Sequence, residues 1–163
     1  MKKFSRHTVI AIGILSLLIV LFAVLFSSQH TIWPFKCSAF TRYNLSQDDN
    51  HLEFYLAQDL RFQDKNSGYF LLNGRAIHNE NITVLNRTLH LGQGGKIDSD
   101  TFRYQINDIV ASPTDNTPDA LFNQLLAELI IDNRTLQLDV IPIQDKSYLI
   151  GGPISYLFTC TTY

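Results

Sequence analysis

Residues Thr8 to Phe26 form a run of nineteen residues, TVIAIGILSLLIVLFAVLF, almost wholly apolar and without a charge. As a helix rising about 1.5 Å per residue it spans roughly 28 Å, close to the ~30 Å hydrocarbon core of a bilayer. This constrains the chain more than any other feature. It divides the protein into a short tail (1–7), a transmembrane helix (8–27), a juxtamembrane linker (28–36) and one outer domain (37–163).

The run reads as a retained anchor, not a removed signal peptide. Signal peptides carry a shorter apolar region and small residues one and three before the cut. Here Leu25 accompanies Ser27 and Phe26 accompanies Ser28, so a large residue spoils each candidate site. Lys2, Lys3 and Arg6 precede the run, and the positive-inside rule places them in the cytoplasm. Trp33 and Phe35 follow it closely. Such rings favour the headgroup layer, but packing into the outer domain is an equal alternative for both.

All fifteen acidic residues lie beyond the run, together with ten of the thirteen basic ones, so the outer part carries 10 − 15 = −5. That balance argues against nucleic acid or anionic lipid as a partner, because both require basic patches. The outer part suits a single domain with a proper core.

Two cysteines stand near the ends of that domain, Cys37 and Cys160. In an oxidising compartment such a pair is expected to form a disulfide. The chain-entropy model assigns a bridge over so long a loop at most about 4–5 kcal/mol. A cysteine nucleophile working with His51, His78 or His90 is disfavoured, since neither cysteine carries a nucleophile-type motif. The histidines show no metal-ligand spacing.

Beyond Pro34 the pattern is period two, as expected of strands with one buried face. Cys37, Ala39, Thr41 and Tyr43 alternate with Ser38, Phe40 and Arg42. Leu52, Phe54 and Leu56 share a face in HLEFYLA, and LRFQ continues past a bend at Gln58-Asp59. In GYFLLNGRAIH, Asn73-Gly74 reads as a hairpin turn or as a mid-strand bulge. The bulge is favoured, with the turn at Asn79-Glu80-Asn81, because ITVLNRTLHL then follows as a long partner strand. GQGGK reads as a loose glycine turn and TFRYQINDIV as the next strand.

The segment PDALFNQLLAELI is the convincing helix of the outer domain. Thr117 is its expected N-cap, Pro118 its first residue and Asp119 a complement to the positive helix end. Leu121, Phe122, Leu125, Leu126, Leu129 and Ile130 form one stripe, expected to pack in the core before it serves as a partner groove. Strands TLQLDVIPI and SYLI follow, with Pro142 marking an edge or strand end. A last strand, ISYLFTCTT, places Ile154, Tyr156, Phe158 and Cys160 on one face. The fold class is therefore a single transmembrane helix plus a mainly β (β-rich α+β) domain. Its antiparallel sheet of about eight strands is curled or barrel-like, with one helix.

Asn44, Asn81, Asn86 and Asn133 begin N-x-Ser/Thr sequons, which matter only in a eukaryotic secretory pathway. No phosphate loop, nucleophile elbow, HExxH motif or paired carboxylates occur, and no cofactor or metal site is expected. The domain does not read as an enzyme.

The short basic tail, the anchor, Trp-Pro-Phe-Lys-Cys at its exit and the closing Leu-Phe-Thr-Cys-Thr together resemble the FidL-like bacterial membrane proteins. In plan the chain is also similar to the ToxS and VtrC group of small single-pass partners of membrane-bound winged-helix regulators. The resemblance implies a bacterial inner-membrane protein with a barrel-like periplasmic domain. That domain would bind and stabilise, or sense together with, a ToxR-like regulator, with an apolar ligand such as a bile salt as a further implied partner. An envelope assembly factor and a eukaryotic type II membrane glycoprotein are the other classes left open. If a partner strand pairs with the sheet, the first or last strand is expected to receive it, around Phe40 or Phe158. Both rings serve equally as ordinary core in a sheet that closes on itself.

Overall fold

The computed structural model describes residues 13–22, 34–47, 50–132 and 134–163. The chain divides into two units, residues 1–32 and 33–163. In the first, residues 13–22 form a helix, α1, whose apolar side chains are exposed. It lies inside the expected span 8–27. The rest of that span, the tail 1–7, residues 28–33 of the linker and Trp33 itself fall outside the described residues. No described helix is long and apolar enough to cross a membrane.

The second unit is a closed antiparallel barrel in which each strand pairs with its sequence neighbours. The strands are β1 (Phe35–Asn44), β2 (Leu52–Phe62), β3 (Gly68–His78), β4 (Asn81–Lys96), β5 (Thr101–Ala111), β6 (Thr135–Gln144), β7 (Ser147–Gly151) and β8 (Tyr156–Thr162). Helix α2 (Asp119–Ala127) interrupts the meander between β5 and β6. One end of the barrel, the entry end, carries the start of β1, the β2–β3, β4–β5 and β6–β7 turns and the terminal Tyr163. The other, the helix end, carries α2 with the β1–β2, β3–β4 and β7–β8 connections.

Alternation puts the apolar set of each strand inside. Leu52, Phe54, Leu56 and Leu60 of β2 are 0% exposed, as the pleat requires when residues two apart share a face. Aromatic rings fill the entry end: Phe62 stacks on Tyr104 at 4.8 Å, Phe35 on Phe62 at 5.8 Å, and Tyr148 meets Phe35 edge-on at 5.1 Å. Phe35 is thus core, the second of its two readings, and β1 begins two residues ahead of the expected boundary.

Several local expectations change. The register runs unbroken past Gly74 on both sides, so no bulge forms there, and the turn is at Asn79-Glu80 with Asn79 at φ 54°. Gly74 is needed for close approach instead: a Cβ would run into the Tyr55 carbonyl. The GQGG sequence is no turn either. β4 continues through it to Lys96 with register shifts at His90/Leu91 and between Gly92 and Gly95, and Gln93 sits at φ 48°. Gly94 lies against the Tyr104 ring with no space for a side chain, and its amide donates to the Asn66 carbonyl at 3.0 Å. β2 shows no register break at Gln58-Asp59.

Thr117 does not cap α2. Its hydroxyl donates to the Val84 carbonyl at 2.9 Å, and Pro118 takes the cap position without a side-chain bond. The segment Ser112–Thr117 lies along β4 beyond its pairing with β5, the Ser112 amide bonding Asn86 and the Asn116 amide bonding Val84. A stretch read as a break thereby covers an edge that would otherwise be open. The helix stripe packs as core: Leu121, Phe122, Leu125, Leu126 and Leu129 are buried. Pro142 does sit where β6 has run past β5, whose last pair with it is Thr101–Asp139.

Candidate functional site: the β1–β8 seam

Closure of the barrel is uneven. β1 pairs with β2 over its whole length, from Phe35–Phe62 to Asn44–Glu53. Against β8 its register pairs are Cys37–Thr162 and Ser38–Thr161 alone. Beyond them the two strands stop pairing, so Ala39–Asn44 of β1 and Tyr156–Cys160 of β8 face each other with no ladder between. Burial follows the opening. Inward-facing Cys37 is fully buried, whereas Ala39 and Thr41, next on the same face, are half-buried.

Two links fasten the entry end of this seam. Inside, Cys37 and Cys160 form the expected disulfide, with Cα atoms 5.5 Å apart; both are essentially inaccessible, at 0% and 1% exposure. Outside, the Tyr163 hydroxyl reaches across β1 and donates to the Asp59 carboxylate of β2 at 2.8 Å. The Arg61 guanidinium also grips Asp59 and lies 5.8 Å from the Tyr163 ring. Partial burial works against the Asp59 charge, but the Arg61 and Tyr163 hydrogen bonds prevail and hold its carboxyl below the usual range.

Beyond Ser38 the seam is open and partly apolar. Phe40 points outward from β1 and is 74% exposed. Around it lies an open depression of about 550 Å³, lined by Ala57, Asp59, Leu71, Asn73 and Thr161 among others. Ala57 faces Phe40 across the ladder and leaves the space beside the ring. Further along β1, Arg42 clasps Glu53 of β2 and stacks over Tyr55 at 5.5 Å. Hydrogen bonds from Arg42 and Tyr55 keep the Glu53 carboxyl below its ordinary range. Beneath the open stretch, Tyr43 and Gln58 bond each other inside the barrel, the Gln58 amide donating to the Tyr43 hydroxyl at 3.0 Å. Burial pushes that phenol up to about 12.

The two rings singled out in the sequence separate here. Phe40 is on the surface. Phe158 faces inward at 7% exposure and stacks on Phe70 at 6.0 Å, so its ring is core and β8 offers backbone, not this side chain. Ile154 and Tyr156 do not continue the inward face of β8: Ile154 precedes the strand, and they are 78% and 67% exposed. Sequence reasoning missed Tyr163 and Asp59, which no local pattern connects. Among the described residues no cluster of His, Cys, Asp and Glu could hold a metal ion.

A family model described as "FidL-like putative membrane protein" matches residues 74–160, more than half of the chain. The chain belongs to the FidL-like family. The match runs from the middle of β3 through α2 and ends on Cys160, so β1, with Phe40 and Cys37, lies outside it. No curated protein and no solved structure matches the FidL-like chain. Family membership places the chain among proteins described as membrane proteins, and the buried disulfide is consistent with an extracytoplasmic barrel.

Proposed function

We propose that the FidL-like barrel acts by binding, without catalysis, and that it receives an extended segment of another extracytoplasmic domain along the free side of β1. The observation that carries this reading is that Ala39–Asn44 has no register partner in β8, with Phe40 exposed beside it. A strand edge presents N–H and C=O groups that an incoming strand can satisfy, while an exposed ring gives that strand an apolar anchor. The likeness in plan to ToxS and VtrC supports a ToxR-like regulator as the partner, stabilised by the barrel or sensing together with it. An apolar ligand held jointly by the two domains belongs to the same reading. The topology that goes with it is a retained span over 8–27, the amino end in the cytoplasm and the barrel in the periplasm of a bacterial inner membrane.

A photo-crosslinking residue at Phe40 in the full chain tests the site. It should capture a neighbouring regulator in native membranes, whereas the same residue at Ile131 should not. Deleting the protein should lower that regulator's abundance or response, with no rescue by the anchor alone. Equal capture at both positions and an unaffected regulator would overturn the proposal. Capture of a different periplasmic protein at Phe40 alone would favour an envelope assembly factor. A carboxy-terminal alkaline phosphatase fusion should be active, and a mature chain beginning near residue 28 would sink the anchor.

A further inference from the structure

The outer domain has four lysines, Lys36, Lys65, Lys96 and Lys146, and the topology brings every one to the entry end. Lys36 is the second residue of β1, Lys65 lies in the β2–β3 turn, Lys96 ends β4, and Lys146 is in the β6–β7 turn at φ 62°. All four are exposed. No ion pair to any of them is present among the described residues. The helix end has no described lysine, and it carries Glu53, Glu80, Asp108, Asp115, Asp119 and Glu128. Its basic residues are Arg42, Arg75, Arg87 and Arg134, of which Arg42 pairs with Glu53 and Arg87 with Asp115 and Asp119.

The same end holds carboxylates too: Asp64, Asp98 and Asp100 bond within their own turns, Asp59 is held by Arg61 and Tyr163, and Asp145 stands exposed beside Lys146. Asp64 accepts from the Asn66 and Ser67 amides at 2.7 and 2.9 Å and from the Ser67 hydroxyl. Asp98 accepts from the Ser99 amide, and Asp100 from the Ser99 hydroxyl. The rim therefore presents ammonium groups without ion pairs, Lys96 lying over the Phe102 ring at 5.9 Å, among acids most of which are engaged locally. Exposed isoleucines, Ile97 and Ile143, stand among them at 49% and 52% exposure. Exposed apolar residues also occur at the helix end, so the lysines are what distinguish the two.

We propose that this lysine rim rests on a phospholipid headgroup layer, the ammonium groups meeting lipid phosphates and Ile97 and Ile143 reaching toward the acyl boundary. Lysine suits this because its stem covers apolar surface while its charge stays with the phosphates. The chain also enters the barrel at this end, through β1. Net charge argued against an anionic surface as partner; at this end the four lysines and Arg61 offset Asp59, Asp64, Asp98, Asp100 and Asp145, so the excess negative charge lies at the helix end. The inference rests on the reading of 8–27 as a membrane span.

Full chain with Trp33→Phe, carrying Ile97→Trp or Ile143→Trp, tests it in phosphatidylcholine/phosphatidylglycerol vesicles containing a headgroup nitroxide lipid. Ile82→Trp and Ile131→Trp at the helix end are the controls. Quenching of roughly twofold or more is expected at 97 and 143 and little at 82 and 131, weakened by 0.5 M salt (about a 4 Å screening length) and by joint Lys→Gln substitution. Equal quenching at both ends, or none at 97 and 143 in chain recovered with the vesicles, overturns the rim and leaves partner binding at Phe40 untouched. Chain that fails to enter the vesicles overturns the rim and the span together.

Discussion

Cys37 and Cys160 are joined across the weakest seam of the barrel, one position from the end of its ladder: β1 and β8 pair at Cys37–Thr162 and Ser38–Thr161 and then part. The bridge therefore does locally what a longer ladder does at the other seams. Cys160→Ser is expected to lower stability by about 2–5 kcal/mol. It should also speed amide exchange in β1 and β8 before β3 and β4, whose ladder runs from Gly68–Leu91 to His78–Asn81. Uniform exchange across all strands would show that the seam is not the weak point.

The outer fastening answers to acid. Asp59 is held as carboxylate below its ordinary value, so its contribution is complete above that value and is lost as pH falls through the lowered one. Tyr163→Phe removes one donor and should cost about 0.5–1.5 kcal/mol at neutral pH. It should leave a shallower dependence of denaturation midpoint on pH below roughly 4. A Tyr163→Phe variant with the parent's acid limb would remove Tyr163 from this account.

Arg87 pins the β5–α2 connection to β4. It donates to Asp115 at 3.1 Å, to Asp119 at 2.7 Å and to the Thr117 carbonyl at 2.6 Å, with the Phe122 ring 4.4 Å from its guanidinium carbon. The Arg87 and Asp115 side chains are 7% and 3% exposed. Arg87→Met should cost about 3–5 kcal/mol because Asp115 is left buried without its ion-pair partner. Adding Asp115→Asn should recover part of the loss in urea melts. A double variant no better than the single one would assign the cost to lost packing on Phe122.

Phe40 and Phe158 should respond oppositely to truncation. Phe40→Ala leaves no cavity and is expected to change stability by under about 0.5 kcal/mol, whereas Phe158→Ala vacates the contact with Phe70 and should cost about 3–5 kcal/mol. A large loss at Phe40 would mean the ring is structural and would weaken its role as a partner anchor.

The sequence by itself determined to a good approximation where the strands run along the chain. Alternation in Cys37–Tyr43 and Leu52–Leu56 is written by the pleat, which makes neighbours two apart share an environment whatever the rest of the chain does. The terminal position of the two cysteines likewise foretold their meeting, since a meander that closes brings first and last strands together. Tertiary structure alone decided what depends on distant chain. Whether GQGG turns or bulges was settled by the Tyr104 ring against Gly94, and Thr117 was drawn from its cap by the Val84 carbonyl. Period two says that Phe40 and Phe158 each have an inside and an outside, but closure of the barrel selects which. The four lysines are scattered over more than a hundred residues and gather at one end because each falls at the start of the meander, at the end of a strand or in a turn on that side. Net charge, a sum without positions, contains no trace of that.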